Sequence, residues 1–408
     1  VFLPCAQLPA PSDPFRPRQP QDFALANAMS ATTITAKTWL ETRFRDPETL
    51  AQGAFVRVWG QGNAVHTLPV VAFDRDAGQL TFDIPKGVFK PYDQPDRLRF
   101  AVVNHPDCLR QPGQWVRSPD GASLILRPLG DVDPTEDRID YAALSGGIRC
   151  TGSHVTVRHM RITKLVGGSA IKAEERAQTG VTIEGCRIDT SSVYAGVLVQ
   201  GNTGARVVDN ELADVALGRG IFLSGCRDSL VRGNRSDHIG GTQISLYGCR
   251  DCAVLGNAID RRAKPHSNGM SFYMGNARVV VAGNTVRMGS GAGLVMQDSR
   301  GPNTVVFNDI VTRSGYSVAF WRSARRIADP QGGHLVANNT ILSRTDNRAF
   351  LFQSPTERAG SFYVNNIVDG TNAGWDIRHD PREAIHGVAL IDGGAGYARG
   401  DRISPVAG

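Results

Sequence analysis

The chain is defined first by what it does not contain. None of its 408 residues fall in an apolar run of 18, so no segment can cross a membrane as a helix. It has no zinc-finger spacing, no helix-turn-helix pattern and no dense Lys/Arg run. Nucleic acid is therefore not the expected partner, although the formal net charge is +6. That mild excess suits an acidic partner or substrate. No loop is dense in Asp and Asn, so the sequence requires no cofactor. Glu174, Asp298 and Asn268 are hard oxygen donors that could take Ca²⁺, and no metal site is otherwise assigned. The CxxC at Cys249–Cys252 has no companion pair and no thioredoxin-like surroundings, which argues against a metal or redox role. The seven cysteines are odd in number, so at least one is free or paired between chains. Cys226 and Cys249 follow equivalent strands and are expected to stack, as a disulfide or as buried thiols. The first residue is Val1 rather than Met, which is compatible with a removed leader.

Also missing is any helix-length stretch of 3.6 periodicity. From about residue 150 the chain instead repeats itself: VTVRHMRI, VTIEGCRI, ARVVDNEL, SLVRGNRS, CAVLGNAI, VVVAGNTV, TVVFNDIV, LVANNTI, FYVNNIV. One column reads Met160, Cys186, Asn210, Asn234, Asn257, Asn284, Asn308, Asn339, Asn365, in steps of 26, 24, 24, 23, 27, 24, 31 and 26 residues. Such a period marks a solenoid. Each period also holds a second run, among them SAIKAE, AGVLVQG, RGIFLSG, TQISLYG, NGMSFYMG, AGLVMQD and SVAFWRS. Both runs alternate with period two and are strands. The fold class that follows is all-β: a right-handed parallel β-helix of about nine or more coils, with an N-terminal antiparallel β-subdomain. Nine coils stacked about 4.8 Å apart make a rod of roughly 38 Å. The asparagine column is expected to form an internal ladder bonding turn backbone.

The expected organisation is an irregular segment over 1–37, a β-subdomain and lead-in over 38–149, the β-helix over 150–378 and a Gly-rich module or cap over 379–408. AFVRVWG, LPVVAFD and QLTFDI are the strands of the subdomain. Residues 104–134, NHPDCLRQPGQWVRSPDGASLILRPLGDVDP, resemble a segment of bacterial β-helix glycoside hydrolases with the pattern Asn…Pro-Gly-Glu-Trp-Tyr…Gly-x-Leu-Tyr-Tyr-x-Pro. Here Gln114 stands for the Glu, and Ile125 with Leu126 for the tyrosine pair. That likeness carries no catalytic residue. The repeats over about 150–375 resemble the pectate-lyase-like β-helix superfamily. The resemblance implies a secreted or periplasmic bacterial protein whose substrate, a polysaccharide, lies along one exposed parallel sheet.

The second run of each period is taken as that sheet. With Ile171, Val197, Ile221, Ile244, Met270 and Leu294 inward, alternation turns two columns outward. The first is Lys172, Leu198, Phe222, Ser245, Ser271, Val295; the second is Glu174, Gln200, Ser224, Tyr247, Tyr273, Gln297, Trp321. Arg219, His266, Asn268, Asp298 and Arg322 lie at the strand mouths.

A cationic and phenolic cluster fits β-elimination, or epimerisation, of a uronate. An enzyme doing this must neutralise the carboxylate, take the C5 proton and protonate the leaving oxygen. The expected roles are His266 as base, Tyr273 or Tyr247 as acid, and Arg219 or Lys172 as neutraliser. Asn268, Gln200, Gln297, Trp321 and Arg322 are expected to bind substrate. Each has a plainer reading: a loop-bonding histidine, packing tyrosines, and Lys172 paired with Glu174. Two alternatives remain open. One is a glycoside hydrolase using a carboxylate pair, with Asp214 and Asp237 at corresponding turns as first candidates. The other is a non-catalytic polysaccharide-binding rod. The sequence leaves the sugar and the oligomeric state undetermined.

Overall fold

A computed structural model of the chain describes residues 5–12, 20–61, 64–83, 98–130, 133, 144–175, 177–216, 218–261, 268–289, 291–313, 316–321, 332–343, 350–352, 360–370 and 375–377. The chain divides into two compact units, residues 1–140 and 141–408.

In the first unit the strands Phe55–Gln61, Ala64–Asp74 and Gln79–Phe82 fall where the alternating runs place them. Phe55–Gln61 pairs antiparallel with both Ala64–Asp74 and Arg99–Val103. Ile34, Leu40, Leu50, Val56, Phe82, Phe100 and Val102 are buried together as its core. Leu40 is supplied by the seven-residue helix Lys37–Arg43. Among the described residues before 37 there is more regular structure than the sequence suggests. Gln7–Leu8, Ala24–Leu25, Ala28–Met29 and Thr33–Thr35 all join the sheet. Two- and three-residue strands are too short to show a period of two. Gln114 earns its place as scaffold: its side-chain oxygen accepts from the backbone N–H of Arg110 and Gln111, both at 2.9 Å. The proposed module over 379–408 lies outside the described residues.

The second unit is a right-handed parallel β-helix. In its first sheet nine strands stack in parallel register from Thr156–Arg158 to Phe362–Val364. Their central residues, Ile183, Val207, Val231, Val254, Val281, Val305 and Val336, are fully buried. Each such side chain taken from water contributes about 1.5–3 kcal/mol, and the repetition multiplies it. Among the described residues no helix is long and apolar enough to cross a membrane.

A turn joins each first-sheet strand to the second sheet, whose strands include Arg161–Thr163, Glu211–Val215, Arg235–Asp237, Ala258–Arg261 and Ile367–Gly370, and the asparagine ladder runs through these turns. The Asn210 side-chain amide donates to Asn234 Oδ1 at 2.9 Å, Asn234 to Asn257 at 3.0 Å, and the chain continues through Asn284, Asn308 and Asn339. Its last rung is Asn366, not Asn365: Asn339 donates to Asn366 Oδ1 at 2.9 Å. Asn365 occupies the preceding position, which is left-handed in every coil. Gly185, Asp209, Gly233, Gly256, Gly283, Asn338 and Asn365, together with His159 and Phe307, all have φ between +50° and +67°. Gly, Asn and Asp tolerate that conformation, which explains the recurring GN, DN and NN pairs.

All seven cysteines are free thiols. Cys226 and Cys249 are buried together in the core as expected from their equivalent positions, and Cys252 joins them. Hydrogen bonding of the Cys249 thiol to Cys226 and Cys252, with burial, holds it well above its ordinary range and keeps it protonated.

Candidate functional site

The third sheet contains Val166–Ala173, the end of Arg187–Gln200, Arg219–Ser224, Ile244–Tyr247, Met270–Tyr273, Leu294–Gln297 and Val318–Trp321, stacked in order. Ile171, Val197, Ile221, Ile244, Met270 and Leu294 point into the core. The register aligns Lys172, Leu198, Phe222, Ser245, Ser271 and Val295 in one outward column. It aligns Gln200, Ser224, Tyr247 and Tyr273 in the next, with Gln297 beside Trp321 further on.

From Leu198 onward the first column faces outward yet is not open to solvent. Leu198 and Phe222 are 5% exposed, and Ser245, Ser271 and Val295 are 1% or less. Larger side chains of the neighbouring columns fold over them. Tyr247 packs on Leu198 and Phe222. Tyr273, Tyr316 and Trp321 pack on Val295 and Ala319. The accessible chemistry therefore belongs to the tyrosines and their partners.

Arg219 organises this surface. Its guanidinium carbon lies 4.5 Å from the Phe222 ring centroid, 5.2 Å from Tyr194 and 5.4 Å from Tyr247. Its Nη1 donates to the Tyr194 hydroxyl at 2.7 Å and its Nη2 to the Tyr247 hydroxyl at 3.4 Å. It makes no salt bridge with a carboxylate among the described residues. A half-buried cation held by rings and phenols is oriented without being neutralised.

Tyr247 passes this arrangement to Tyr273, whose ring centroid is 5.2 Å away at 53°. Phe222 meets Tyr247 edge-on at 4.8 Å. The Tyr273 hydroxyl oxygen accepts from Asn268 Nδ2 at 2.9 Å and from Ser271 Oγ at 3.3 Å. Both interactions use oxygen lone pairs, leaving the phenolic proton as the group's own donor. Burial, with Tyr247 nearby, pushes the Tyr273 phenol above its ordinary value. It stays protonated through the neutral range, as an acid or donor must.

The structure thus brings together Arg219, Tyr247, Tyr273 and Asn268. His266 and Arg322, expected as base and substrate contact, lie outside the described residues. Lys172 does not join the cluster. It stands three rungs from Tyr247, about 14 Å, and is bonded to Glu174 at 2.5 Å. Gln200, Gln297 and Trp321 line the same outward column, half-buried. Asn268 Oδ1 accepts from the backbone N–H of Ala292, so it is a structural acceptor already in use. Asp298 is buried, in a left-handed turn. Among the described residues no group of three or more His, Cys, Asp or Glu converges as a metal site.

Asp214 and Asp237 do not occupy corresponding positions. The register sets Asp237 opposite Ala213 on one side and Asp260 on the other. Asp214 lies one residue later and meets His238, to which it is hydrogen-bonded. A period of two gives no anchor at a corner, so a one-residue offset is invisible in the sequence. Tyr194 is missed for the same reason. Its strand, Arg187–Gln200, runs through the corner from the second sheet into the third, and its alternation breaks there.

A family model described as a right handed beta helix region matches residues 146–341. No curated protein matches the chain. Among solved structures, one titled "Glycoside hydrolase" is 11% identical, with a TM-score of 0.49, covering 90% of this chain and 75% of that one. The Dettilon tailspike protein is 14% identical, TM-score 0.28, covering 54% of this chain and 52% of its own. The catalytic domain of a GH87 alpha-1,3-glucanase in complex with tetrasaccharides is 11% identical, TM-score 0.28, covering 90% and 85%.

Proposed function

We propose that the chain is a polysaccharide-active enzyme that cleaves, or epimerises, an anionic, uronate-containing polymer by abstraction of the C5 proton, on the outward face of the third sheet. The observation that carries this reading is Arg219: a guanidinium fixed by two phenols and three rings, with no carboxylate partner among the described residues. Such a group matches a sugar carboxylate, whose charge it would offset as the enolate-like state develops. Tyr273, protonated and aimed outward from two donors, suits protonation of the leaving oxygen. Once it gives up that proton, Asn268 and Ser271 would stabilise the phenolate. His266, expected from the sequence as the base, lies outside the described residues.

A hydrolase is the second reading, and one observation favours it. Asp237 and Asp260 are exposed and directly opposite each other on adjacent rungs of the second sheet. A rung of about 4.8 Å is close to the 5–5.5 Å carboxyl separation of retaining glycosidases. Incubation with polyuronates, glycosaminoglycans and neutral glucans, following both unsaturated-bond absorbance and new reducing ends, separates the two. Elimination predicts absorbance from an acidic polymer. Reducing ends from a neutral polymer without absorbance would establish the hydrolase instead.

A further inference from the structure

The described cluster contains a neutraliser and an acid but no base. The structure offers His238, which the sequence pattern does not single out, in partnership with Asp214. Asp214 and His238 stand on adjacent coils, 24 residues apart, and share a hydrogen bond between Oδ1 and Nδ1. Both are accessible: the His238 side chain is 41% exposed and Asp214 58%. Both have left-handed backbone, φ +57° and +52°, in the corner that leads from the second sheet into the third. The two coils they bridge carry Arg219 and Tyr247, and Tyr273 with Asn268 stands on the next coil. Arg219 begins its strand five residues after Asp214, a reach of at most about 17 Å of chain. Tyr247 ends the strand that follows His238 in the next coil.

We infer that His238, oriented by Asp214, is the general base of the elimination. This rests on the reading of the third-sheet face as an anionic-polysaccharide site. A carboxylate on Nδ1 fixes the tautomer with the proton on that nitrogen and the lone pair on Nε2. In the step itself the Nε2 lone pair takes H5 and the C5–H bond breaks. The electron pair is held as an enolate-like charge beside Arg219. It then forms the C4–C5 double bond as the C4–O bond breaks, and the leaving oxygen takes the Tyr273 proton. The imidazolium and the phenolate are reset through solvent, so the reaction needs no co-reactant. His238 would touch substrate; Asp214 is a positioning residue.

The backbone conformation makes a clean test available. Glycine and asparagine both adopt positive φ without strain, so His238→Gly and Asp214→Asn leave the turn intact. The full chain is assayed for unsaturated product on the acidic polymer that wild type cleaves. His238→Gly is expected to lose roughly 10²–10⁴-fold in kcat, with KM nearly unchanged. Added imidazole is expected to restore part of that rate, as it would not for a merely structural residue. Asp214→Asn is expected to lower kcat less, and Asp214→Glu to recover some of the loss. Full activity of His238→Gly, or a loss that imidazole does not relieve, overturns the assignment while leaving the lyase reading standing. Retained activity of His238→Gly beside an inactive His266→Ala would move the base to His266. If wild type forms no unsaturated product from any acidic polymer, both readings fall.

Discussion

Tyr247 and Tyr273 stand on neighbouring rungs with ring centroids 5.2 Å apart, yet their hydroxyls accept from different donors. Arg219 donates to Tyr247, whereas Asn268 and Ser271 donate to Tyr273. On the proposed reading the two chemically identical side chains have different tasks, Tyr247 in holding the anion and Tyr273 in donating a proton.

Removing only the Tyr273 hydroxyl tests that division. Tyr273→Phe is expected to lower kcat by roughly 10²–10⁴-fold with little change in KM. It also strips Asn268 and Ser271 of an acceptor, at about 1–3 kcal/mol for a buried donor left unpaired. Steady-state kinetics and urea unfolding on the same preparation check both effects. Tyr247→Phe is expected to raise KM more than it lowers kcat.

The raised Tyr273 phenol has a consequence for alkaline stability. Its folded pKa lies above the unfolded value of about 10, because burial disfavours the phenolate. The contribution is therefore fully present below about pH 10 and is lost as pH rises through the folded value. Urea midpoints measured across the alkaline range should fall more steeply for wild type than for Tyr273→Phe.

Arg219→Lys keeps the charge and removes the fork. A single ammonium cannot span the Tyr194 and Tyr247 hydroxyls while lying over three rings. Loss of a charged hydrogen bond, roughly 1.5–3 kcal/mol, corresponds to about ten- to a hundredfold weaker binding of an acidic oligosaccharide. Calorimetric titration against acidic and neutral oligosaccharides should show the loss for the acidic ligand alone.

The ladder makes a stability prediction independent of function. Asn257 Oδ1 accepts from both the backbone and the side-chain nitrogen of Asn234, and its amide donates to Val231 and Asn284. Asn257→Ala leaves several of these groups without partners, at about 1–3 kcal/mol each for the worst placed. Asn365→Gly, at an exposed left-handed position, should be nearly neutral. Thermal melts of the two variants separate ladder from non-ladder asparagines.

Much of this was legible in the sequence, because a solenoid writes its geometry periodically. The strands, the inward column from Ile171 to Leu294 and the adjacency of Tyr247 and Tyr273 all follow from alternation plus a repeat near 24 residues. Legibility ended where periodicity did. At the corners the backbone turns through left-handed residues, and the period of two no longer says which residue faces which. That is why the sequence pairs Asp237 with Asp214 when its neighbours are Ala213 and Asp260, and why it does not mark Tyr194 or His238. Asn365 and Asn366 were confused for a related reason: the side chains are identical, and only the positive φ of the first distinguishes them. Burial of the outward column was unreadable because it depends on which aromatic rings fold over it.

The central claim is that the third-sheet face breaks an acidic polysaccharide without adding water. Mass spectrometry of the oligosaccharides released from a polyuronate tests it most directly. The account predicts products carrying one terminal unsaturation, their summed mass equal to that of the intact chain, and their disappearance in Tyr273→Phe. Fragments whose summed mass exceeds the intact chain by one water per cut would contradict it.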